Sequence, residues 1–417
     1  MQKVHSESDI DSIIKVHETK DISLAKKMFP VETARLARHL HSQLPGYYMT
    51  RLAALPNLAN MLGVGGIYVK NEGERMELNS FKVMGGSFAL FKFFQDKLGL
   101  SDDELSVDYL TSDECRKKTG IITFASATDG NHGRGIAWAS KMLGHKCMIY
   151  VHSETSQARI DAIKAYGATV KVIPGNYDHA VHQCVVDAEK NGWEVISDTS
   201  WDGYTEVPTR IMQGYTTMLL EAQKQFSSQG IEYPTHVFVQ AGVGALAASV
   251  IGFYAALCNG VNTPKFIVVE PNKAGCIFES AKEDDGKPHN VDGSLSTIMA
   301  GLACGEPSPI AWDILKENAD VFMQVPDYVA ARGMRILATP LKGDPMIISG
   351  ESGAVTLGAL YQLLTLPGNE EVKKYLDINQ HSNILFINTE GNTDPKSFRQ
   401  IIWDGADQVP AKFATER

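Results

Sequence analysis

Short runs of β-branched residues alternate along the chain with stretches that have helical spacing. The runs GIYVKNE, GIITFAS, KCMIYVH and ATVKVIP are followed by such stretches at residues 81–98, 133–143, 157–166 and 178–190. The same alternation continues later in the chain. THVFVQAG precedes a stretch with helical spacing at residues 245–257, the run KFIVVE follows, and NILFINTEG precedes a helical stretch at residues 395–402. Strands alternating with helices of this length are typical of a parallel sheet covered on both faces. The pattern therefore predicts an α/β fold.

The bulk composition narrows the class of protein. A chain of 417 residues exceeds the usual single core, so we expect two domains, or one large domain with an inserted lobe, around a cleft. The net charge of −10, without a long basic run, argues against a nucleic acid or an anionic membrane as partner. The start MQKVHSESDI lacks a signal-peptide core and no stretch is apolar enough to span a membrane. We expect a cytoplasmic protein.

The six cysteines are scattered and include no Cys-x-x-Cys pair, so zinc-ribbon and thioredoxin chemistry has no support. Most are expected to be buried as small apolar residues. Cys276 and Cys304 flank a polar stretch at residues 283–293 that is typical of a surface loop, and a disulfide between them is the lesser alternative in a reducing compartment. No metal site is predicted, since His132 has no partner at ligand spacing.

The loops after the predicted strands are where ligands of a parallel sheet bind. One of them, QAGVGALA, precedes a predicted helix, and Gly242 and Gly244 would let its free N–H groups reach a phosphate. A tight turn is the simpler alternative. A second alternative is a dinucleotide site, because Gly242, Gly244 and Ala247 fit a degenerate fingerprint and Glu270 ends the next strand where a ribose-binding acid would lie. That alternative predicts a NAD-dependent oxidoreductase.

Lys82, in NSFKVMGG, lies at the entrance to a predicted helix. A lysine is by default a solvated surface charge. Here the neighbours are apolar and a glycine pair follows, so the side chain is expected to be partly desolvated. Desolvation lowers the pKa of an amine and makes it a nucleophile, which Schiff-base chemistry requires.

Polar residues are concentrated in the turn SATDGNHGRG, between a buried strand and a helix. Asp129 and Asn131 can act there simply as turn and capping residues, but the density of polar groups suggests a site. Asp198 follows the strand-like WEVIS, and Thr389 and Glu390 follow the last predicted strand. Each of these can also be a cap or turn residue.

Taken together, these loops resemble the fold type II family of pyridoxal-phosphate enzymes, which includes threonine and serine dehydratases, cysteine synthase and tryptophan synthase β. The resemblance runs over residues 48–394 and keeps the order of NSFK, IDAIKAYGATVKVIPGNYDHA, the glycine loop, VVEP, GESGA and TEGN. It implies pyridoxal 5'-phosphate as cofactor, two open, twisted, mostly parallel sheets flanked by helices, and a homodimer. The active site would lie between a large domain, 1–87 and 199–417, and a small domain, 88–198.

Details within the family resemble enzymes that eliminate ammonia from 2,3-diaminopropionate, giving pyruvate and two ammonia, on one or both isomers. The relevant segments are SFKVMGG, ASATDGNHGRG, SDTSWDGY and NTEGNTD. The acidic residue in SATDGNH departs from the Ser-x-Gly-Asn-His turn of dehydratases and points to a diamino substrate. Serine or threonine dehydration, the oxidoreductase and a non-catalytic cofactor carrier stay open as alternatives.

The resemblance also implies which residues hold the cofactor. Lys82 would bind it covalently, Asn131 would bond to its phenolic oxygen, and Thr389 would meet the pyridine nitrogen unless Glu390 does. A neutral hydroxyl at that nitrogen suits β-elimination better than transamination. Glu351, in GESGA, would lie near the cofactor face. The cofactor phosphate is assigned to the backbone of Gly242, Val243, Gly244, Ala245 and Leu246.

Substrate roles follow in the same way. Ser126 and Thr128 would hold the substrate carboxylate. Because Lys82 lies on one face of the cofactor, a D-substrate needs a second base on the other face, and Asp129 is the expected one. Asp198 is the reserve for this role, or holds the distal ammonium of the substrate.

Overall fold

The computed structural model describes residues 2–5 and 8–414, which form twelve strands and seventeen α-helices. The strands are β1 Gln2–His5, β2 Asp11–Ile14, β3 Leu52–Ala54, β4 Gly66–Asn71, β5 Thr123–Thr128, β6 Lys146–His152, β7 Thr169–Ile173, β8 Glu194–Val195, β9 His236–Gln240, β10 Lys265–Pro271, β11 Val321–Val325 and β12 Asn383–Asn388. The helices are α1 Ser23–Met28, α2 Val31–His41, α3 Pro56–Leu62, α4 Lys82–Leu98, α5 Val107–Leu110, α6 Asp113–Thr119, α7 Asn131–Met142, α8 Gln157–Lys164, α9 Tyr177–Asn191, α10 Glu206–Ser228, α11 Ala245–Cys258, α12 Cys276–Glu283, α13 Pro309–Asn318, α14 Asp327–Ala338, α15 Glu351–Thr365, α16 Glu370–Leu376 and α17 Pro395–Ile402.

Two open sheets organise these elements. The larger has eight strands in the order β1-β2-β11-β10-β9-β12-β4-β3, and its five inner strands from β11 to β4 are parallel. Antiparallel pairs occur only at its two edges among the described residues, where β2 joins β11 and β3 joins β4. The smaller sheet has the order β7-β6-β5-β8 and is parallel throughout. The predicted α/β fold with two mostly parallel sheets is confirmed.

The smaller sheet is contained in residues 123–195, inside the lobe predicted at 88–198, and every strand of the larger sheet lies outside that lobe. Helix α4 joins the two parts, since it packs against α7 of the smaller sheet and against α10 of the larger. The boundaries at residues 87 and 198 stay predictions.

Strand β9 illustrates why the inner strands read as continuous apolar runs. Val237 and Val239 belong to the core cluster that extends to the smaller sheet, whereas Phe238 belongs to the cluster under α14 and α15. Alternate side chains of a strand point to opposite faces, so a strand covered on both faces is apolar at most of its positions. In β9 the three central residues are apolar, and the polar Gln240 lies at the carboxyl end, where the loop begins.

All six cysteines are buried free thiols. The polar stretch after α12 is an exposed loop, as predicted. The alternative of a disulfide between Cys276 and Cys304 is wrong for this structure: the Cys276 thiol lies 3.6 Å from the carbonyl oxygen of Gly242, a hydrogen-bonding distance for sulfur. None of the helices between residues 2 and 414 that the structure describes is long and apolar enough to cross a membrane.

A buried cluster of charges connects α10 to the segment between β4 and α4. Glu221 of α10 accepts hydrogen bonds from the Lys70 ammonium at 2.6 Å and from the Arg75 guanidinium at 2.7 Å. Arg75 also donates to Glu72 at 2.7 Å, and all four side chains are fully buried. The cluster fixes the segment that leads into Lys82, because α4 begins only seven residues after Arg75.

We expect Glu221→Gln to lower the free energy of unfolding by about 3 to 5 kcal/mol, because it leaves two buried cations with one carboxylate fewer. The control is Glu206→Gln on the same helix. The Glu206 side chain is 75% exposed, and this substitution should lower the free energy of unfolding by less than about 1 kcal/mol. Urea denaturation at neutral pH measures both. Equal small losses would contradict a stabilising role of the cluster.

The same carboxylate makes stability depend on pH. Burial alone would raise the pKa of Glu221, but the charges of Arg75 and Lys70 lower it from 4.5 to about 2. A pKa that is lower in the folded state means that stability is present above pH 4.5 and is lost as the pH falls towards 2. We expect this loss to be smaller in the Gln variant, measured by denaturation between pH 5 and pH 3.

Candidate active site

The loops at the carboxyl ends of both sheets meet in one cavity. Strands β9, β12 and β4 are neighbours in the larger sheet, and the chain order reverses between β9 and β12, which is where open sheets bind ligands. Strands β5 and β8 are neighbours in the smaller sheet. The cavity is lined by residues from the loops after all five of these strands.

Lys82 enters the cavity at the first residue of α4. Its loop is held against the loop after β12: the N–H of Phe81 donates to the carbonyl oxygen of Thr389 at 3.2 Å, and the N–H of Gly391 donates to that of Asn79 at 2.9 Å. Lys82 and Thr389 are therefore fixed relative to each other by backbone bonds.

Asp198 is the partner of Lys82. The lysine ammonium donates a short hydrogen bond to Asp198 Oδ2, and the two side chains are 17% and 6% exposed. Asp198 Oδ1 accepts a bond of 3.1 Å from the Tyr177 hydroxyl, and His132 Nδ1 lies 3.9 Å from Oδ2. A buried carboxylate thus joins a lysine, a tyrosine and a histidine inside the cavity.

The predicted direction of the Lys82 pKa is wrong for this structure. Burial does lower the pKa of the amine, but the negative charge of Asp198 outweighs it and leaves the pKa raised. Burial likewise raises the pKa of Asp198, and the charge of Lys82 overcomes this and lowers it. The pair is therefore ionised, and Lys82 becomes a nucleophile only when its proton is removed or its partner is neutralised.

The glycine loop gives the cavity an anion-binding wall. Gly242, Val243, Gly244, Ala245 and Leu246 all line it. Helix α11 begins at Ala245, and no side chain caps its N-terminus. Gly244 has φ +96°, a conformation that favours glycine, and a Cβ on Gly242 would lie 3.1 Å from the carbonyl oxygen of Gly301. Free backbone N–H groups at a helix start attract anions, phosphate above all.

The turn after β5 supplies a second polar wall. Thr128 Oγ1 accepts from the N–H groups of Gly130 at 2.8 Å and Gly133 at 2.9 Å, which shapes the turn. Asn131 Nδ2 donates to Glu390 Oε2 at 2.6 Å and so connects the two sheets across the cavity. Thr128, Asp129, Asn131, Thr389 and Glu390 all line the cavity.

Two residues predicted for the site lie outside it. Ser126 is fully buried within β5, its hydroxyl donates to the carbonyl oxygen of Ile196 at 2.6 Å, and it does not line the cavity. It has no path to a substrate carboxylate, so we correct that prediction. Glu351 lines a neighbouring cavity beside Asp129 and accepts a hydrogen bond from Ser397 at 2.5 Å. Glu351 itself does not line the cavity of Lys82, although the two cavities share Asp129, and its place near the cofactor stays a prediction.

Glu270 also differs from the dinucleotide-binding alternative. Both of its carboxylate oxygens accept backbone N–H groups at the start of α12, from Ile277 at 2.9 Å and from Phe278 at 2.6 Å. The residue is fully buried and does not line the cavity. A fully buried carboxylate that caps a helix in this way is out of reach of a ribose hydroxyl.

Several lining residues escaped the sequence reasoning: Tyr177, Gln240, Leu302, Cys304 and Ser352. Gln240 was recognisable as the polar end of an apolar strand. Its Nε2 lies 3.0 Å from Thr389 Oγ1. The others come from helix starts or from a loop without a strand before it, and no local pattern marks them. Among the described residues, no group of three or more His, Cys, Asp or Glu side chains is arranged to hold a metal ion.

Comparison with known proteins identifies the family. Residues 43–377 match the family described as pyridoxal-phosphate dependent enzyme. The chain belongs to this family. The predicted cofactor is thereby confirmed, and the cavity fits it, with a lysine, an anion-binding glycine loop and the hydroxyl of Thr389 around one space.

Individual relatives within the pyridoxal-phosphate family are similar over most of the chain. The diaminopropionate ammonia-lyase of Escherichia coli K12 is 44% identical over 382 residues, 92% of this chain and 94% of its own. A crystal structure of the E. coli enzyme in complex with D-serine has a TM-score of 0.89 at 40% identity and covers 98% of this chain and 100% of that one. The E. coli biosynthetic L-threonine dehydratase is 25% identical over 72% of this chain and 50% of its own.

Proposed function

We propose that this protein eliminates ammonia from D- and L-2,3-diaminopropionate and releases pyruvate and two ammonia, with pyridoxal 5'-phosphate as cofactor. The observation that carries the proposal is the cavity in which Lys82, the glycine loop and two aspartates, Asp129 and Asp198, meet. The relative with 44% identity over 92% of the chain is a diaminopropionate ammonia-lyase, which favours this reaction over the dehydration of serine or threonine.

We assign cofactor binding to residues that line the cavity. Lys82 would hold the cofactor covalently, the N–H groups of the loop from Gly242 to Leu246 would bind its phosphate, and Asn131 would donate its second amide N–H to the phenolic oxygen. When bound, pyridoxal phosphate supplies a ring that withdraws the electron pair left at the substrate Cα.

Thr389 is the better candidate for the pyridine nitrogen than Glu390. The Gln240 amide can only donate to Thr389 Oγ1, so the threonine proton is left to donate into the cavity. Glu390 Oε2 accepts from Asn131 and from Thr393 at 3.0 Å, and a carboxylate has no proton to donate to the ring nitrogen. A hydroxyl donor suits an unprotonated ring nitrogen and a moderate electron sink, as elimination requires.

Asp198 would bind the distal ammonium of the substrate. In this structure it pairs with the Lys82 ammonium, and a diamino acid carries a second cation of the same kind. A buried carboxylate needs such a counter-charge, and serine, which lacks it, would leave Asp198 unpaired. The Tyr177 hydroxyl holds the other carboxylate oxygen, Oδ1, and the His132 ring lies beside Oδ2.

Asp129 would be the base for the D-isomer and Lys82 for the L-isomer. The two isomers present the Cα proton to opposite faces of a planar cofactor, so one base cannot serve both. Asp129 lines the cavity at the turn that also holds Asn131. Thr128 stays the candidate for the substrate carboxylate, since its hydroxyl accepts two backbone bonds and keeps its proton to donate.

The assay that tests the function compares pyruvate release from L-2,3-diaminopropionate, D-2,3-diaminopropionate and L-serine with cofactor-saturated protein. We expect kcat/KM for L-2,3-diaminopropionate to exceed that for serine by at least about 100-fold, because a site built for a buried charge rejects a substrate without it. A preference for serine would favour a dehydratase, and no turnover of any of the three would favour a cofactor carrier.

Gly242→Val is expected to raise the Kd for pyridoxal phosphate by about tenfold or more, because the side chain would push the phosphate from the N–H groups and crowd residues 301–304. The kcat at saturating cofactor should fall less. Fluorescence titration of the cofactor-free protein measures the Kd, and Gly242→Ala gives an intermediate step as control. An unchanged Kd in both variants would move the phosphate site elsewhere.

We also propose a homodimer in the cytoplasm. The dimer is supported by the resemblance to fold type II enzymes, and the location by six cysteines that are all free thiols, as in a reducing compartment. Light scattering after size-exclusion chromatography distinguishes a dimer from a monomer of 45.6 kDa.

A further inference from the structure

Arg159 is a buried arginine that the reaction described above does not use. It lies on α8 at the border of the smaller sheet, and its side chain is 6% exposed. Its Nη1 donates to the carbonyl oxygen of Asp129 at 3.2 Å and lies 3.4 Å from the Asp129 Oδ2. One nitrogen therefore holds both the backbone and the carboxylate of the same residue.

The aliphatic part of the Arg159 side chain also packs against the turn that follows β5. Gly130 has φ +149°, and a Cβ built there would lie 3.0 Å from Arg159 Cδ and 3.3 Å from its Cβ and Cγ. The backbone between Asp129 and Asn131 thus rests directly on the arginine side chain. On the other side, the Asp129 Oδ2 lies 3.4 Å from the position that a Cβ on Gly301 would occupy. The carboxylate is held between the guanidinium and the Gly301 backbone.

The buried guanidinium of Arg159 is charged and lies near several carboxylates. Burial lowers the pKa of its guanidinium, but Glu390, Asp129 and Glu351 outweigh this and keep it raised, so the group is a cation. Of these carboxylates, Asp129 is within hydrogen-bonding distance and lines both the cavity of Lys82 and the neighbouring one, while Arg159 and Glu351 line only the neighbouring cavity. A buried cation holds its nearest carboxylate in position.

We infer that Arg159 is a positioning residue that holds the Asp129 carboxylate aimed at the substrate, and thereby supports turnover of the D-isomer more than that of the L-isomer. The inference rests on the proposed function, in which Asp129 removes the Cα proton of the D-substrate. Lys82, the base for the L-isomer, lies on another element and has a partner of its own in Asp198.

The test uses Arg159→Gln and Arg159→Lys in the cofactor-loaded enzyme, with kcat measured on both isomers. Arg159→Gln should lower kcat for D-2,3-diaminopropionate by about 30-fold or more and for the L-isomer by about threefold or less, since only one base loses its counter-charge. Arg159→Lys, which keeps the charge, should recover much of the D-activity. A crystal structure of the Gln variant should have the Asp129 carboxylate turned away from Gly301.

Arg134→Gln is the matched control, because this partly buried arginine of the same lobe donates to the Leu78 carbonyl oxygen and does not line the cavity. It should change both activities alike. Equal losses on the two isomers in Arg159→Gln, or an Asp129 carboxylate that stays in place, would overturn the inference. If Asp129→Asn lowers mainly the activity on the D-isomer and Arg159→Gln does not, only the inferred role of Arg159 is wrong. If wild-type protein turns over neither isomer, the proposed function fails first and Arg159 with it.

Discussion

Lys82→Ala is expected to lower turnover of both isomers of 2,3-diaminopropionate by at least about 10³-fold. The substitution removes the covalent anchor of the cofactor and a group that transfers protons, and a single proton-transfer group already contributes about 10² to 10⁴-fold. Weak binding of pyridoxal phosphate should persist, because the glycine loop is unchanged. Pyruvate formation at saturating cofactor measures the first effect, and titration of the cofactor-free variant measures the second.

Lys92→Ala is the matched control for this experiment. Lys92 lies on the same helix, its side chain is 22% exposed, and it is 3.7 Å from Asp102, far along α4 from the cavity. We expect its activity within about twofold of wild type, since surface substitutions away from a site have small effects. Wild-type turnover in Lys82→Ala would remove Lys82 from the mechanism.

Asp129→Asn is expected to lower kcat on D-2,3-diaminopropionate by about 100-fold while activity on the L-isomer stays within about fivefold. The amide is nearly isosteric and still accepts a hydrogen bond from Arg159, so the turn should keep its shape, but it cannot take a proton. The measurement is kcat for each isomer with folded, cofactor-saturated protein.

Asp161→Asn, on the exposed side of α8, is the control for a change of charge in the same lobe. It should leave the ratio of the two activities unchanged. If Asp129→Asn reduces both activities equally, Asp129 only shapes the turn, and the base for the D-isomer must be sought elsewhere, with Asp198 as the next residue to test.

The sequence was sufficient for β4, β9, β10 and β12 because these inner strands of the larger sheet are buried and largely apolar. It was less informative for α10, β11 and the two N-terminal strands, which the alternating pattern did not single out. Strand β2 has only four residues, of which the first two are polar, so it shows no apolar run. Helix α10, with 23 residues, is set by its packing against α2, α4 and α11.

The site was predictable where loop chemistry follows a strand directly. Asp129, Asn131, Asp198 and Thr389 follow that rule, whereas Lys82 lies at the start of the next helix, and all five line the cavity. The prediction for Ser126 was wrong because this residue lies within the strand. Its hydroxyl donates to the carbonyl oxygen of Ile196 and does not reach the cavity. Local sequence cannot distinguish the last buried residue of a strand from the first exposed residue of its loop.

Residues that contact the site from another secondary-structure element could not be predicted from the sequence. Tyr177 reaches Asp198 from the start of α9, and Arg159 reaches Asp129 from α8. Neither has a local pattern that differs from an ordinary helix residue. The shift of the Lys82 pKa could not be predicted from local sequence either, because its direction depends on Asp198, which lies 116 positions further along the chain.

The claim on which the whole account depends is that Lys82 carries the cofactor. Borohydride reduction of the holoenzyme followed by proteolysis and peptide mass spectrometry tests it most directly, because reduction makes the bond between lysine and cofactor permanent. We predict a single pyridoxyl-phosphate label on the peptide that contains Lys82, together with loss of the yellow colour. A label on any other lysine, or no label in protein that had bound the cofactor, would contradict the account.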